Sequence, residues 1–223
     1  MERALVVDND KLIVELISRI LEKHGFMVSR AYGGLEALAL LKKETFDVVF
    51  LDLVMPRVGG DRIFKFIKQS PEHAKTRVVI VSAVALEAET KIAELKPDAC
   101  IAKAAYPVLK ENILKTIAFL RSASDEKGMF CANEGVHPRQ IVHELLFAQR
   151  HFEAILNSMR EAVIELDTEH MITYVNPSAQ RLLGKKEWEL IGRNFVEGFP
   201  GDKAEEVRGV LQEISSAPSN TTI

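Results

Sequence analysis

The chain has 223 residues, 47% hydrophobic and 27% charged, enough for one large domain or two ordinary ones with the composition of a soluble globular protein. Its two cysteines, Cys100 and Cys131, give neither a disulfide framework nor a metal-ligand spacing, and reduced thiols in a cytoplasmic protein are the simplest account. No export signal follows Met1, no apolar run is long enough to span a bilayer, and the net charge of −3 hides an asymmetry: residues 1–122 carry 19 Lys and Arg against 16 Asp and Glu, residues 123–223 carry 10 against 16. An acidic second half argues against a nucleic-acid-binding module there.

Residues 3–8 form an apolar run ending in acid, a first strand. From 11 to 23, Leu12, Ile13, Leu16, Ile17, Ile20 and Leu21 fall on one helix face, and His24 with Gly25 ends the helix. Phe26 to Tyr32 reads as a second strand. A second helix follows Gly33 and Gly34. The run from Phe46 to Leu51 is short and apolar, as in a strand buried on both faces, and it stops at Asp52 before a loop marked by Pro56, Gly59 and Gly60. A helix over 61–69, a strand over 77–82, a helix over 85–96, a strand over 98–103 and a helix opened by Pro107 complete five strand–helix alternations. That pattern predicts a parallel α/β sheet with helices on both faces.

Residues 122–136 turn polar and read as a linker. From Pro138 to Met159 apolar positions recur at steps of four and three, an a/d seam that suits a paired helix and hence a homodimer, or an ordinary amphipathic helix. Two strands are expected over 162–167 and 171–175. Asn176 and Pro177 then start a helix that Gly184 stops, and a last helix spans 202–215.

Asp8, Asn9, Asp10, Asp52, Ser82 and Lys103 all fall at the C-terminal ends of strands, the edge of an open α/β sheet where ligands bind. From its own stretch alone, Asp52 reads equally as an acid that caps the next turn. If the first strand lies beside the third, Asp8 and Asp52 become neighbours that need a cation, and hard oxygen ligands suit Mg²⁺. Candidate ligands are Asp8, Asn9, Asp52 and the Val54 backbone carbonyl, with Asp10 a further candidate. A metal, the Ser82 hydroxyl and the Lys103 ammonium around a carboxylate are what phosphoryl transfer to that carboxylate requires.

Residues 1–122 resemble the receiver domain of two-component response regulators. The stretch from Asp52 through Met55, Pro56, Gly59 and Gly60 is similar to the acceptor motif, Asp8 to the first acidic site, Ser82 and Ala83 to the switch hydroxyl and its small neighbour, and Lys103 to the family lysine. The resemblance implies a flavodoxin-like five-stranded sheet. It also implies a phosphoryl group accepted on Asp52 with Mg²⁺ from a histidine kinase or phosphotransfer protein, and catalysis limited to that self-transfer and its hydrolysis. The chain departs from the family in three places: Asn9 replaces a second acid, Cys100 stands where a switch aromatic is usual, and Ala104 follows the lysine where proline is common. Val54 and Val84 flank the acceptor and switch hydroxyl and are expected to shield Asp52 from water.

Residues from about 150 resemble the first half of a PAS domain, through Ile164 to Asp167, Ile172 to Pro177, Leu182 to Gly184, and Ile191 with Gly192. The expected organisation is therefore a receiver over 1–122, a linker over 123–137, a signalling helix over 138–159 and a partial α+β PAS-like module over 160–223. Two other readings stand beside the phosphorelay. Asn9 and Cys100 suit a receiver that docks partners without phosphorylation. Asp8 and Asp10 in an Asp-x-Asp spacing suit an Asp-nucleophile phosphatase of the haloacid-dehalogenase type. His143 with Glu144 and Leu145 is similar to a kinase phosphoacceptor box that the following residues do not continue. The remaining histidines read as surface positions.

Overall fold

The computed structural model describes residues 1–82, 95–122, 130–132, 154–199 and 201–216. The chain divides into two units, Met1–Ala154 and Ile155–Ile223.

In the first unit, β1 (Glu2–Val7), α1 (Lys11–Lys23), β2 (Phe26–Ala31), α2 (Gly34–Leu41), β3 (Val48–Leu51), α3 (Gly60–Gln69), β4 (Arg77–Ser82), β5 (Ala99–Ala102), α4 (Tyr106–Ser122) and β6 (Phe130–Ala132) follow in order. The sheet order is β2-β1-β3-β4-β5-β6, and every pairing is parallel. The first five strands have the flavodoxin-like arrangement, with β1 next to β3 and the chain reversing direction of travel between them.

Burial explains the strand composition. Val48, Val49, Phe50 and Leu51 are all buried, as a central strand covered on both faces demands. On one face, Val14, Ile17, Ile20 and Leu21 of α1 and Ile113, Ile117 and Leu120 of α4 pack with Ala4, Val6, Phe50, Val79, Val81 and Ile101. The alternate strand positions Leu5, Val7, Val49 and Leu51 belong to the opposite face and are equally buried. Asp10 caps α1, its Oδ1 accepting from the Leu12 N–H at 2.8 Å.

Two expectations change. The stretch read as linker contributes a sixth strand, with Ala99, Cys100 and Ile101 of β5 level with Phe130, Cys131 and Ala132 of β6. Three residues among Ser, Asp, Lys, Gly and Asn carry too short a pattern to show a period of two; pairing with a distant edge makes them a strand. His73 is not a surface residue. Pro71–His73 forms a 3₁₀ turn that folds the imidazole inward, where Nε2 lies 2.9 Å from the Leu41 carbonyl and the ring 5.7 Å from that of Phe66. The helix expected over 85–96 lies largely outside the described residues, as do Val84 and most of the helix expected over 138–159, including His143; residues 154–158 are helical.

In the second unit, β7 (Ile164–Leu166) and β8 (Ile172–Val175) pair antiparallel, followed by α5 (Pro177–Leu183), α6 (Glu187–Leu190), a 3₁₀ turn at Val196–Gly198 and α7 (Gly201–Ser216). Ile172, Val175, Ala179 and Leu190 form its small core, with Ile164, Leu166 and Phe195 against it. Gly184 ends α5 with φ of 64°, the left-handed conformation that glycine takes without strain.

Asn176 is the hub of this unit. Its Oδ1 accepts from the N–H groups of Val163 (3.0 Å) and Ala179 (2.9 Å), and its Nδ2 donates to the carbonyls of Leu156 (3.1 Å) and Glu161 (2.8 Å). Ser178 donates to the Met159 carbonyl, and Tyr174 to Asn157 Oδ1. Three side chains at alternate positions thus hold residues 156–159, the end of the helical 154–158 segment and the residue after it, to β8 and α5.

Candidate functional site

The parallel pairing of β1 with β3 is in register from Ala4 with Val48 to Val7 with Leu51. The next residues, Asp8 and Asp52, are therefore neighbours at the carboxyl edge. Backbone bonds extend that register: the Asp52 N–H donates to the Val7 carbonyl at 2.9 Å, and the Asp8 N–H to Ala31 at 3.2 Å. Both acids are buried, with 1% and 3% of their surface exposed.

Lys103 enters from the loop after β5. Its Nζ stands 2.7 Å from Asp8 Oδ2 and 3.1 Å from Asp52 Oδ2. Its own N–H donates to the Ser82 carbonyl at 2.7 Å, which ties the lysine loop to the end of β4, where buried Ser82 sits. Four strand ends thus bring Asp8, Asp52, Ser82 and Lys103 to one edge.

The electrostatics follow from two carboxylates sharing one ammonium in a buried place. Burial pushes the Asp52 carboxyl up from 3.8 to about 6. The Lys103 charge opposes that rise, the Asp8 charge adds to it, and hydrogen bonds from Lys103 and the Val54 backbone N–H oppose it. Burial works to lower the Lys103 ammonium, but attraction to Asp52 and bonding to Asp8 outweigh it, and the net shift is upward.

The donor set fits a divalent cation. Asp8 Oδ1 accepts the Asp10 N–H at 2.9 Å. Asp8 Oδ2 is buried and, among the described residues, faces only the Lys103 ammonium at 2.7 Å, so this oxygen, with two lone pairs, keeps one to offer a cation. Hard oxygens with one uncompensated negative charge suit Mg²⁺ better than a soft metal. Asn9 is exposed beside Asp8. Asp10, also exposed, spends Oδ1 on capping α1. No group of three or more His, Cys, Asp or Glu forms a metal cluster among the described residues, so Asp8 and Asp52 would be the charged ligands of any cation there.

The loop from Leu53 to Gly59 is shaped by close packing. Arg57 adopts φ of 66°, and Val58 is fully buried. A β-carbon on Gly60 would stand 1.9 Å from the Asp52 carbonyl oxygen. The sequence marked Gly59 and Gly60 only as a turn signal; that Gly60 abuts the backbone of Asp52 was not readable there. Val54 is half-buried and packs, with Leu95, on a cluster of Leu53, Ile80 and Cys100. Cys100 is thus a buried core residue.

Fold and site together define a flavodoxin-like domain with a buried acid pair and lysine at the carboxyl edge of its sheet. Residues 4–117 match the response regulator receiver domain family, and residues 150–222 match the PAS fold. The chain belongs to the response regulator receiver domain family. It is 32% identical over 117 residues to the protein PilH of Pseudomonas aeruginosa, covering 52% of this chain and 95% of that one. It is 26% identical over 113 residues to the polar-differentiation response regulator DivK of Brucella anthropi, covering 51% and 90%. Among solved structures, the Mn²⁺-bound form of response regulator Rcp1 superposes with a TM-score of 0.50 at 19% identity, over 56% of this chain and 97% of that one, a likeness of fold. Among the described residues no helix is long and apolar enough to cross a membrane.

Proposed function

We propose that this receiver accepts a phosphoryl group on Asp52 from a histidine kinase or phosphotransfer protein, and passes the resulting state to the PAS-like unit or to a partner. The observation that carries this reading is the buried Asp52 carboxylate with Lys103 Nζ at 3.1 Å and Asp8 beside it. At neutral pH an acid with a value of about 6 is largely ionised, and is therefore available as a nucleophile. In the transfer, an Asp52 oxygen bonds to phosphorus as the bond to the donor nitrogen breaks. Lys103 would neutralise the phosphoryl oxygens and the Ser82 hydroxyl would donate a hydrogen bond to them, which is the main protein contribution to such a reaction. Mg²⁺ held by Asp8 and Asp52, with Asn9 and the Val54 carbonyl as further oxygen donors, would supply charge neutralisation. The division of roles into receiver (1–122), linker (123–137), signalling helix (138–159) and PAS-like module (160–223) belongs to this proposal.

The test is incubation of the chain with a small acyl phosphate and Mg²⁺. The expected result is the mass of one added phosphoryl group, absent in Asp52→Asn and absent with chelator. No added mass in the native chain would overturn the proposal in favour of a docking module, which the exposed, uncharged Asn9 supports. The phosphatase reading is the weaker one, because the Asp10 carboxylate it needs as general acid caps α1.

A further inference from the structure

The sixth strand decides where the chain leaves the sheet. α4 runs back from the carboxyl edge after β5, so its end at Ser122 lies at the amino edge. Arg121 fixes that end: its guanidinium binds the Glu2 carboxylate at 2.7 Å and the His24 carbonyl at 3.1 Å, and stands 4.8 Å from the centre of the Phe26 ring. Glu2 begins β1 and Phe26 begins β2. β6 then runs parallel to β5, with Ala99 level with Phe130 and Ile101 with Ala132, which completes one more strand–helix–strand crossover. Its Ala132 end therefore returns the chain to the carboxyl edge, which carries Asp52 and Lys103. With β6 unpaired, the last point held to the sheet among the described residues of this stretch is the Arg121 clamp at the opposite edge.

The strand order puts Asp52 and β6 on opposite sides of the β4–β5 pair. The ends of β4 and β5 are tied together, the Lys103 N–H donating to the Ser82 carbonyl at 2.7 Å, and Lys103 Nζ reaches across to within 3.1 Å of Asp52 Oδ2. A phosphoryl group on Asp52 that draws Lys103 and Ser82 to its oxygens pulls both strand ends toward β3, away from β6. β3, β4 and β5 each have a strand on both sides, whereas β6 has three residues and forms the outer edge. The β5–β6 pairing has the least to hold it and is the one that yields. We propose that β6 is a phosphoryl-sensitive strap. It is paired with β5 while Asp52 is bare and released when Asp52 carries a phosphoryl group, which moves the chain's point of departure from the acceptor edge to the amino edge. The strap rests on the reading of Asp52 as the acceptor and gives the route by which that state reaches the following chain. It uses the β6 backbone alone, and neither thiol takes part.

The experiment measures amide hydrogen exchange of the full chain by mass spectrometry, with and without an excess of a small acyl phosphate and Mg²⁺, and reads the intact mass of the same samples. In the labelling an Asp52 oxygen bonds to phosphorus as the donor's phosphorus–oxygen bond breaks and its carboxylate leaves. Exchange at Phe130–Ala132 is expected to speed up several-fold in the loaded chain, to stay unchanged in β1, and to lose its response in Asp52→Asn. Successive N–H groups along a strand point to opposite sides, so either Phe130→Pro or Cys131→Pro removes one that faces β5. That variant is expected to show the loaded rate at its remaining β6 amides without acyl phosphate, and still to gain the phosphoryl mass. A loaded chain whose β6 exchange is unchanged or slower overturns the strap and leaves Asp52 as the acceptor. A chain that gains no mass overturns both. Fast β6 exchange in the bare native chain, or no change in either proline variant, also overturns the strap.

Discussion

The Cα of Gly60 lies against the carbonyl oxygen of Asp52, so close that a β-carbon would stand 1.9 Å from that oxygen and 2.9 Å from the Asp52 carbonyl carbon. The obstacle is backbone and cannot rotate away. A β-carbon on Gly59 would meet the end of the Asp61 side chain at 2.7 Å instead, and a side chain can yield. Gly60→Ala is therefore expected to cost about 3 kcal/mol of stability and to slow acyl-phosphate labelling of Asp52, whereas Gly59→Ala costs much less. Chemical denaturation followed by circular dichroism checks both; equal costs would refute the backbone contact.

Lys103 is the cation shared by Asp8 and Asp52. Lys103→Met leaves two buried carboxylates facing each other. In metal-free buffer the expected cost is about 2–4 kcal/mol, less than for a fully buried pair because the lysine is partly exposed. Mg²⁺ is expected to restore part of that loss, read as a larger Tm rise on adding Mg²⁺ in Lys103→Met than in the native chain.

The raised Asp52 carboxyl gives a pH dependence with a definite sign. The folded state holds the proton up to about pH 6, while an ordinary carboxyl releases it near 3.8. Over that window the folded state binds more protons than the unfolded one, so this group's contribution to stability falls as pH rises, and is flat on either side. Asp52→Asn removes it. In metal-free buffer its stability gain over the native chain should be near zero below about pH 4 and reach roughly 3 kcal/mol above pH 6. Unfolding at a series of pH values measures the difference; a gain that does not grow with pH refutes the burial argument.

Val54 is half-buried on the apolar cluster of Leu53, Ile80 and Cys100, two residues after Asp52. An apolar side chain there limits the approach of water to an acyl phosphate on Asp52. Val54→Asn is expected to shorten the phosphoryl lifetime several-fold, and Val84→Glu to do the same. Loss of the phosphoryl mass with time measures both, and unchanged lifetimes would retire the idea of shielding.

Asn176 satisfies four backbone groups at once. Asn176→Ala leaves them without partners and is expected to cost about 2–4 kcal/mol in the second unit. Asn176→Asp keeps both acceptor bonds and loses both donor bonds, so its cost should fall between. Trp188, the one tryptophan of the chain, lies in this unit, and its fluorescence isolates the relevant transition. A melting curve for Asn176→Ala that matches the native one would show the hub to be dispensable.

Much of this protein is legible along the chain because it is local. One-faced helices alternating with short apolar runs are set by side-chain periodicity, and that alternation is enough for a parallel α/β fold. The start of α5 at Asn176 and Pro177 and its end at Gly184 are equally local, since caps act within one turn. The acids and lysine at strand ends were visible as residues. Their meeting was conditional on β1 lying beside β3, a long-range pairing that no window of sequence contains. The sixth strand, the burial of His73 under Leu41, the contact of Gly60 with Asp52 and the register of Cys100 with Cys131 have the same origin. Each depends on segments distant in sequence being packed together, and sheet order and close packing, rather than propensity, decide which residues those are.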